Sequence, residues 1–272
     1  MAFELQHVST GYEHKIISKD VDIRIPLEKV TALIGSNGCG KSTLLKTICR
    51  IIAPKGGSVI LNGEDIHKKD TKELAKQLAI LPQNPMAPGS LTVRDLISYG
   101  RAPHKSGILQ RESQRDRELI DWAIDVTDLH NFAHTPIQNL SGGQRQRAWI
   151  AMAIAQDTDI LFLDEPTSYL DISHQMDVLE LVERLNQEYK KTVIMVIHEL
   201  NQAARYADHI IAMKDGDVHF QGTPHEVLTE EMLSKIFGVD SIILNDPRTN
   251  RPYCIAYTHA SVEKAKQVGG AL

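Results

Sequence analysis

The chain has 272 residues, 42% of them hydrophobic and 24% charged, which suits one large globular core with room for a smaller attached subdomain. Lys and Arg number 30 against 35 Asp and Glu, for a formal charge of −5, and only 5% of residues are aromatic. These values exclude the basic footprint of a nucleic-acid binder and the stacking platforms of a single-strand binder, so no nucleic-acid partner is expected.

Cys39, Cys49 and Cys254 are scattered without disulfide or metal spacing, which fits a reducing compartment. Met1-Ala2-Phe3-Glu4 lacks the basic-then-apolar pattern of a secretory leader. The longest apolar run, residues 148–155, falls far short of the ~20 residues a membrane helix needs. The chain is therefore expected in the cytoplasm, touching a membrane only through a partner.

In chain order, residues 30–34 (Val-Thr-Ala-Leu-Ile) form the first continuous apolar run, the mark of a strand buried on both faces. A glycine-rich loop follows, and Leu44, Leu45 and Ile48 then recur at helical spacing. Residues 84–139 are broken by Pro85, Pro88, Gly89, Gly100, Pro103 and Gly107 before helical patterns at 111–121 and 122–129, which reads as a helical insertion. A helix opens at Ser141 and runs through Trp149, Ile150 and Ala153. Residues 160–163 and 193–197 give two more buried strands. Between them Met176, Leu179, Val182 and Leu185 predict a helix over 173–191. Thr223-Pro224 starts a short helix, a turn-rich tail is expected from Asp246, and Gly269-Gly270-Ala271-Leu272 should fray. Alternating strands and helices predict an α/β fold. The expected organisation is a core in two parts (1–83 and 148–222), a helical subdomain (84–147) and a short C-terminal extension (223–272).

Gly35-Ser36-Asn37-Gly38-Cys39-Gly40-Lys41-Ser42 matches G-x-x-x-x-G-K-[ST] between a strand and a helix, the context this phosphate-binding loop requires. Its glycines let successive backbone N–H groups turn inward around phosphate oxygens, and the helix N-terminus adds positive potential. Lys41 would reach the β- and γ-phosphates, and the Ser42 hydroxyl would ligate Mg²⁺. Cys39 lies inside this loop, whose surroundings favour thiolate, so alkylation there is expected to block the nucleotide, with a buried, inert thiol as the alternative.

The strand at 160–163 ends in Asp164-Glu165, delivering two carboxylates to the sheet edge that carries the loop. Asp164 suits Mg²⁺, and Glu165 could orient or deprotonate an attacking water. His198 ends the third apolar run at the same edge and is placed to donate toward a γ-phosphate. Leu140-Ser141-Gly142-Gly143-Gln144 opens a second helix. Ser141 is a candidate N-cap, and the two glycines would let an anion approach free N–H groups.

The order of these elements (phosphate loop, Leu-Ser-Gly-Gly-Gln, Asp-Glu-Pro after an apolar strand, then His) resembles the ATP-binding subunits of ABC transporters. That resemblance implies a P-loop NTPase core of ABC ATPase type, with a small antiparallel β subdomain and the inserted helical subdomain. It implies a head-to-tail homodimer holding two ATP molecules with Mg²⁺, in which Ser141, Gly142, Gly143 and Gln144 contact the ATP of the other subunit. By the same resemblance Tyr12 stacks on adenine, Thr43 joins the loop's ATP contacts, and Gln83 touches Mg²⁺ and signals to membrane subunits. Asp171 lies at the dimer interface. Glu199 follows His198 where many relatives carry Asp.

Tyr99-Gly100-Arg101-Ala102-Pro103-His104 and Leu170-Asp171-Ile172-Ser173-His174-Gln175 are similar to segments of the ferric-siderophore, haem and vitamin B12 importer ATPases. This narrower resemblance implies an integral membrane permease pair, an extracytoplasmic substrate-binding protein acting indirectly, and a place at the cytoplasmic face of the membrane. Ferric siderophore is the expected cargo, with haem or vitamin B12 as alternatives. Soluble ABC ATPases of DNA repair or translation form a rival class, but they need a basic surface or inserted coiled coils, and the chain has neither a net positive charge nor a long heptad insertion. An exporter subunit would share the chemistry.

Overall fold

The computed structural model describes residues 3–13, 15–105 and 112–259. The expectations placed on Gly107, Arg111 and Gly269-Gly270-Ala271-Leu272 lie outside the described residues.

The chain opens with an antiparallel hairpin of β1 (Phe3–Tyr12) and β2 (Lys15–Ile25). β3 (Val30–Gly35) then enters the main sheet with every residue buried, as its unbroken apolar run predicts. The phosphate loop leads into α1 (Lys41–Ile48). β4 (Gly56–Leu61) and β5 (Glu64–Asp65) return to the first sheet, giving the order β2-β1-β4-β5. After α2 (Thr71–Leu74), β6 (Leu78–Leu81) joins the main sheet.

The inserted region holds α3 (Val93–Tyr99), α4 (Gln114–Val126) and the start of α5 (Gly142–Ala155). Both α3 and α4 begin with capping boxes, Thr92 with Asp95 and Ser113 with Asp116. β7 (Ile160–Asp164), α6 (Ile172–Gln187), β8 (Thr192–Val196), α7 (Leu200–Tyr206), β9 (His209–Lys214) and β10 (Asp217–Gly222) complete the core. The main sheet runs β10-β9-β3-β8-β7-β6, parallel except for the antiparallel edge strand β10.

Helix α1 lies between the two sheets. Leu44, Leu45 and Ile48 pack there with Phe3, Leu33 and Phe162, and the Phe3 and Phe162 rings meet edge-on at 5.9 Å. Helices α5 and α6 bury Ile150, Ile154, Leu179 and Val182 on the opposite face. This double covering explains why the central strands show no polar alternation.

The C-terminal region differs from expectation. After α8 (Pro224–Val227) and α9 (Glu230–Phe237), the chain forms a hairpin of β11 (Val239–Asn245) and β12 (Pro252–His259) where a turn-rich tail was expected. Only its connection is turn-like, with the Asp246 side chain accepting from the Arg248 N–H at 2.8 Å. Asn201 on α7 holds the hairpin by two hydrogen bonds, to the Cys254 carbonyl at 3.0 Å and from the Cys254 N–H at 2.8 Å. Among the described residues no helix is long and apolar enough to cross a membrane.

Candidate active site

Strands β3, β7 and β8 end at one edge of the sheet, and a cleft of about 190 Å³ opens there. Asn37, Gly38, Gly40, Lys41, Ser42, Thr43, Glu165 and His198 line it. The left-handed backbone at Gly38 (φ 78°) and Gly40 (φ 106°) turns the loop into α1. Gly40 stands at the N-cap without a side-chain cap, so the cap residue leaves the first N–H groups of α1 unsatisfied. Gly35 pairs with Met213 on β9 so closely that a Cβ there would collide with the Met213 carbonyl.

Lys41 is buried, and its ammonium donates to the Gly35 carbonyl at 2.9 Å and the Ser36 carbonyl at 3.0 Å. Its Nζ also lies 3.8 Å from Cys39 Sγ. Cys39 does not present its thiol to the cleft. At 3% exposure it belongs to the core between the sheets, which fits the buried, inert alternative and not the alkylatable loop cysteine. A core thiol meets reagent only when the loop opens.

Asp164, the last residue of β7, is buried and accepts a 3.3 Å hydrogen bond from Ser42 Oγ. Burial raises its pKa; the Ser42 hydrogen bond opposes the rise and the neighbouring Glu165 charge adds to it. A buried carboxylate beside a hydroxyl and a second carboxylate has hard oxygen donors and too little positive charge, the donor set that Mg²⁺ favours.

Glu165 leaves the strand in the left-handed region, at φ 54°. Three donors converge on its carboxylate. His198 Nε2 lies 2.7 Å from one oxygen, while Gln83 Nε2 at 2.6 Å and Ser168 Oγ at 2.9 Å donate to the other. Burial pushes its pKa upward, but the hydrogen bonds from His198, Ser168 and Gln83 outweigh that and hold it below the usual glutamate value. It is thus an ionised acceptor at neutral pH. His198 stands two residues beyond the end of β8 rather than at its last position.

The other expected residues lie outside the cleft lining. Tyr12 ends β1 and is 45% exposed. Ile17 of the adjacent β2 lines the cleft and packs over Gly40. Ser141 is exposed and caps α5, accepting from the Gln144 N–H at 3.3 Å while Gln144 Oε1 accepts from the Ser141 N–H at 3.0 Å. Gly142 is exposed and Gly143 buried. Asp171 is exposed and caps α6 through the His174 N–H at 2.9 Å.

Sequence reasoning missed Ser168 and Ile17. The signal for Ser168 was a hydroxyl three residues after Glu165, where a turn closes from the Ser168 N–H to the Glu165 carbonyl at 3.2 Å. Ile17 carried none. The Gly-Arg-Ala-Pro-His segment also gains a physical meaning. Arg101 is buried and joins Asp116 of α4 at 2.8 Å to the Ala155 carbonyl at the end of α5 at 2.8 Å. His104 adds a 2.8 Å contact to the Gln156 carbonyl.

Residues 18–168 match the ABC transporter family. The chain belongs to that family. It is 51% identical over 259 residues to the iron(3+)-hydroxamate import ATP-binding protein FhuC of Bacillus subtilis, covering 95% of this chain and 96% of that protein. It is 43% identical over 250 residues to the ferric enterobactin transport ATP-binding protein FepC of Escherichia coli, covering 92% of each. The dimeric structure of the ATP-binding cassette MJ0796 in a post-hydrolysis state, bound to ADP and Pi, is similar in fold. Its TM-score is 0.70 at 28% identity, over 81% of this chain and 98% of that one. The α/β P-loop NTPase core of ABC type expected from the sequence is therefore the fold found, and the chain is an ATP-binding ATPase of the ABC kind.

Proposed function

We propose that this ABC ATPase powers import of iron(III)-siderophore complexes, working as a homodimer at the cytoplasmic face of the membrane beneath a pair of integral permease subunits. The extracytoplasmic substrate-binding protein would act on it only through those permeases. The names of the similar FhuC and FepC proteins, hydroxamate and enterobactin transport, support ferric siderophore as the cargo class. The exposed signature and the dimeric MJ0796 cassette support the homodimer.

The backbone of Gly35, Ser36, Asn37, Gly38, Cys39 and Gly40 cradles the phosphates, with Lys41 and Thr43 completing the contacts and Tyr12 stacking on adenine. Lys41 leaves the Gly35 and Ser36 carbonyls for the β- and γ-phosphate oxygens, trading two dipoles for a full negative charge. Ser42, Asp164 and Gln83 would hold Mg²⁺, which neutralises developing charge on the phosphate oxygens when bound. Glu165 accepts the proton of the attacking water as the bond from the γ-phosphorus to the β,γ-bridging oxygen breaks. His198 then turns its Nε2–H from Glu165 to the γ-phosphate. Ser141, Gly142, Gly143 and Gln144 close over the nucleotide of the second copy, with Asp171 beside them. The insertion at 84–147 relays the motion to the permease through Gln83.

The observation that carries this reading is the ionised Glu165 at the mouth of the phosphate-loop cleft, aimed by Gln83, Ser168 and His198. Glu165→Gln is expected to keep ATP binding while kcat falls by about 10²–10⁴-fold. Steady-state phosphate release measures it, and a parental rate overturns the assignment.

A further inference from the structure

Gly142 and Gly143 of the signature both adopt ordinary helical backbone, so a need for positive φ does not account for them. Space accounts for Gly143. A Cβ at that position would lie 2.6 Å from Cγ, 2.7 Å from Nδ1 and 3.0 Å from Cβ of His174, all inside van der Waals contact. At Gly142 the nearest atom, Leu170 Cδ2, would be 3.4 Å away, which is ordinary packing. The place a side chain would take on Gly143 is thus occupied within the same chain by an imidazole from α6, and Gly143 is buried beneath it.

His174 is held on two sides. Its N–H donates to the capping carboxylate of Asp171 at 2.9 Å, and its ring Nδ1 lies 3.2 Å from Asp177 Oδ2 one turn along. The ring therefore joins the N-terminal turn of α5 to the N-terminal turn of α6. The capping box of Ser141 and Gln144 fixes the end of α5 internally but says nothing about where that end sits relative to α6.

We propose that His174 is a positioning residue for the signature. Its ring seats the first turn of α5 against α6, so that the N–H groups of that turn and the Asp171 cap are presented to the neighbouring copy as one rigid unit. The inference rests on the reading that the signature serves the ATP of a second copy. Donors that stabilise a phosphate must be held within a few tenths of an ångström, and a half-buried ring wedged between two helix ends and held by Asp177 supplies that rigidity.

The test compares G143A, H174A and G143A/H174A in the E165Q background, reading ATP-driven dimerisation by sedimentation velocity. G143A should raise the ATP concentration for half-maximal dimer by about tenfold, because its methyl displaces the ring. H174A should raise it by about threefold, through a looser seat. The double variant should fall near H174A alone, since the two closest colliding atoms, Cγ and Nδ1, are gone and only Cβ at 3.0 Å remains. H174Q, which retains a planar polar side chain, should recover most of the H174A loss and serves if H174A folds poorly. Losses that simply multiply in the double variant, or dimerisation of both H174A and H174Q at the parental ATP concentration, overturn the proposal. S141R is the separate control: if it dimerises with ATP as E165Q does, the two-copy reading fails instead. The coupling of residues 143 and 174 remains measurable as an ATPase rate in the parental background.

Discussion

Two helices point their N-termini at phosphate in the proposed mechanism, and the chain keeps them in opposite states. Helix α1 begins at Gly40 with no side-chain cap and no acidic residue in its first turn, so no side chain of its own first turn satisfies its leading N–H groups. Helix α5 begins at Ser141 with a complete capping box, each partner satisfying the other. In that mechanism one end receives an anion from solution. The other is kept in shape by its own residues, which suits an end whose ligand arrives only with another protein molecule.

Substitutions separate the two ends, and the largest effect belongs to α1. Lys41→Ala removes the only ammonium that lines the cleft among the described residues and should weaken ATP binding about 100-fold, read by titration with a fluorescent nucleotide. An unchanged affinity would mean that the open helix end holds phosphate unaided.

Asp116→Asn strikes α5 from its far end, because Arg101 bridges Asp116 and the Ala155 carbonyl in a buried site. It should cost about 2–3 kcal/mol at neutral pH in urea denaturation. Burial disfavours the Asp116 charge, but the hydrogen bonds from Arg101 and Ser113 more than offset it and lower its pKa from 3.8 to about 2. A depressed carboxylate stabilises the fold above its unfolded value. The parental advantage should therefore persist above pH 4 and fade as pH drops toward 2. A gap between parent and variant that stays constant over that window would refute the pairing.

The smallest effect is Ser141→Ala, which opens the capping box and should lower stability by about 1 kcal/mol in the same assay. If it lowered stability no more than an exposed surface change, α5 would not depend on its own cap.

Much of the cleft was legible because its signals are local. The apolar runs that became β3, β7 and β8 needed no partner to be recognised, and each hands its polar successor to one sheet edge. The three donors around Glu165 were only partly legible, since Gln83 reaches it across 82 residues and no periodicity encodes such an approach. The thiol of Cys39 misled because loop membership says nothing about which way a side chain turns. The hairpin of β11 and β12 escaped because its Asp-Pro-Arg-Thr-Asn connection dominates the local composition. Its strands also alternate exposed Ile242 and Leu244, or Tyr253 and Ile255, with residues packed inward. The seat of Gly143 on His174 is a contact between two helices, invisible until both are placed.

Glu165 leaves its strand with φ 54°, a rotation that disfavours any residue bearing a Cβ by about 1 kcal/mol. Glycine would relax that joint, and the carboxylate proposed to activate water would vanish with the strain, together with its contacts to His198, Gln83 and Ser168. In the proposed mechanism, backbone ease and turnover therefore pull against each other at a single bond, and the three partners of the carboxylate are what hold that joint in its costly turn.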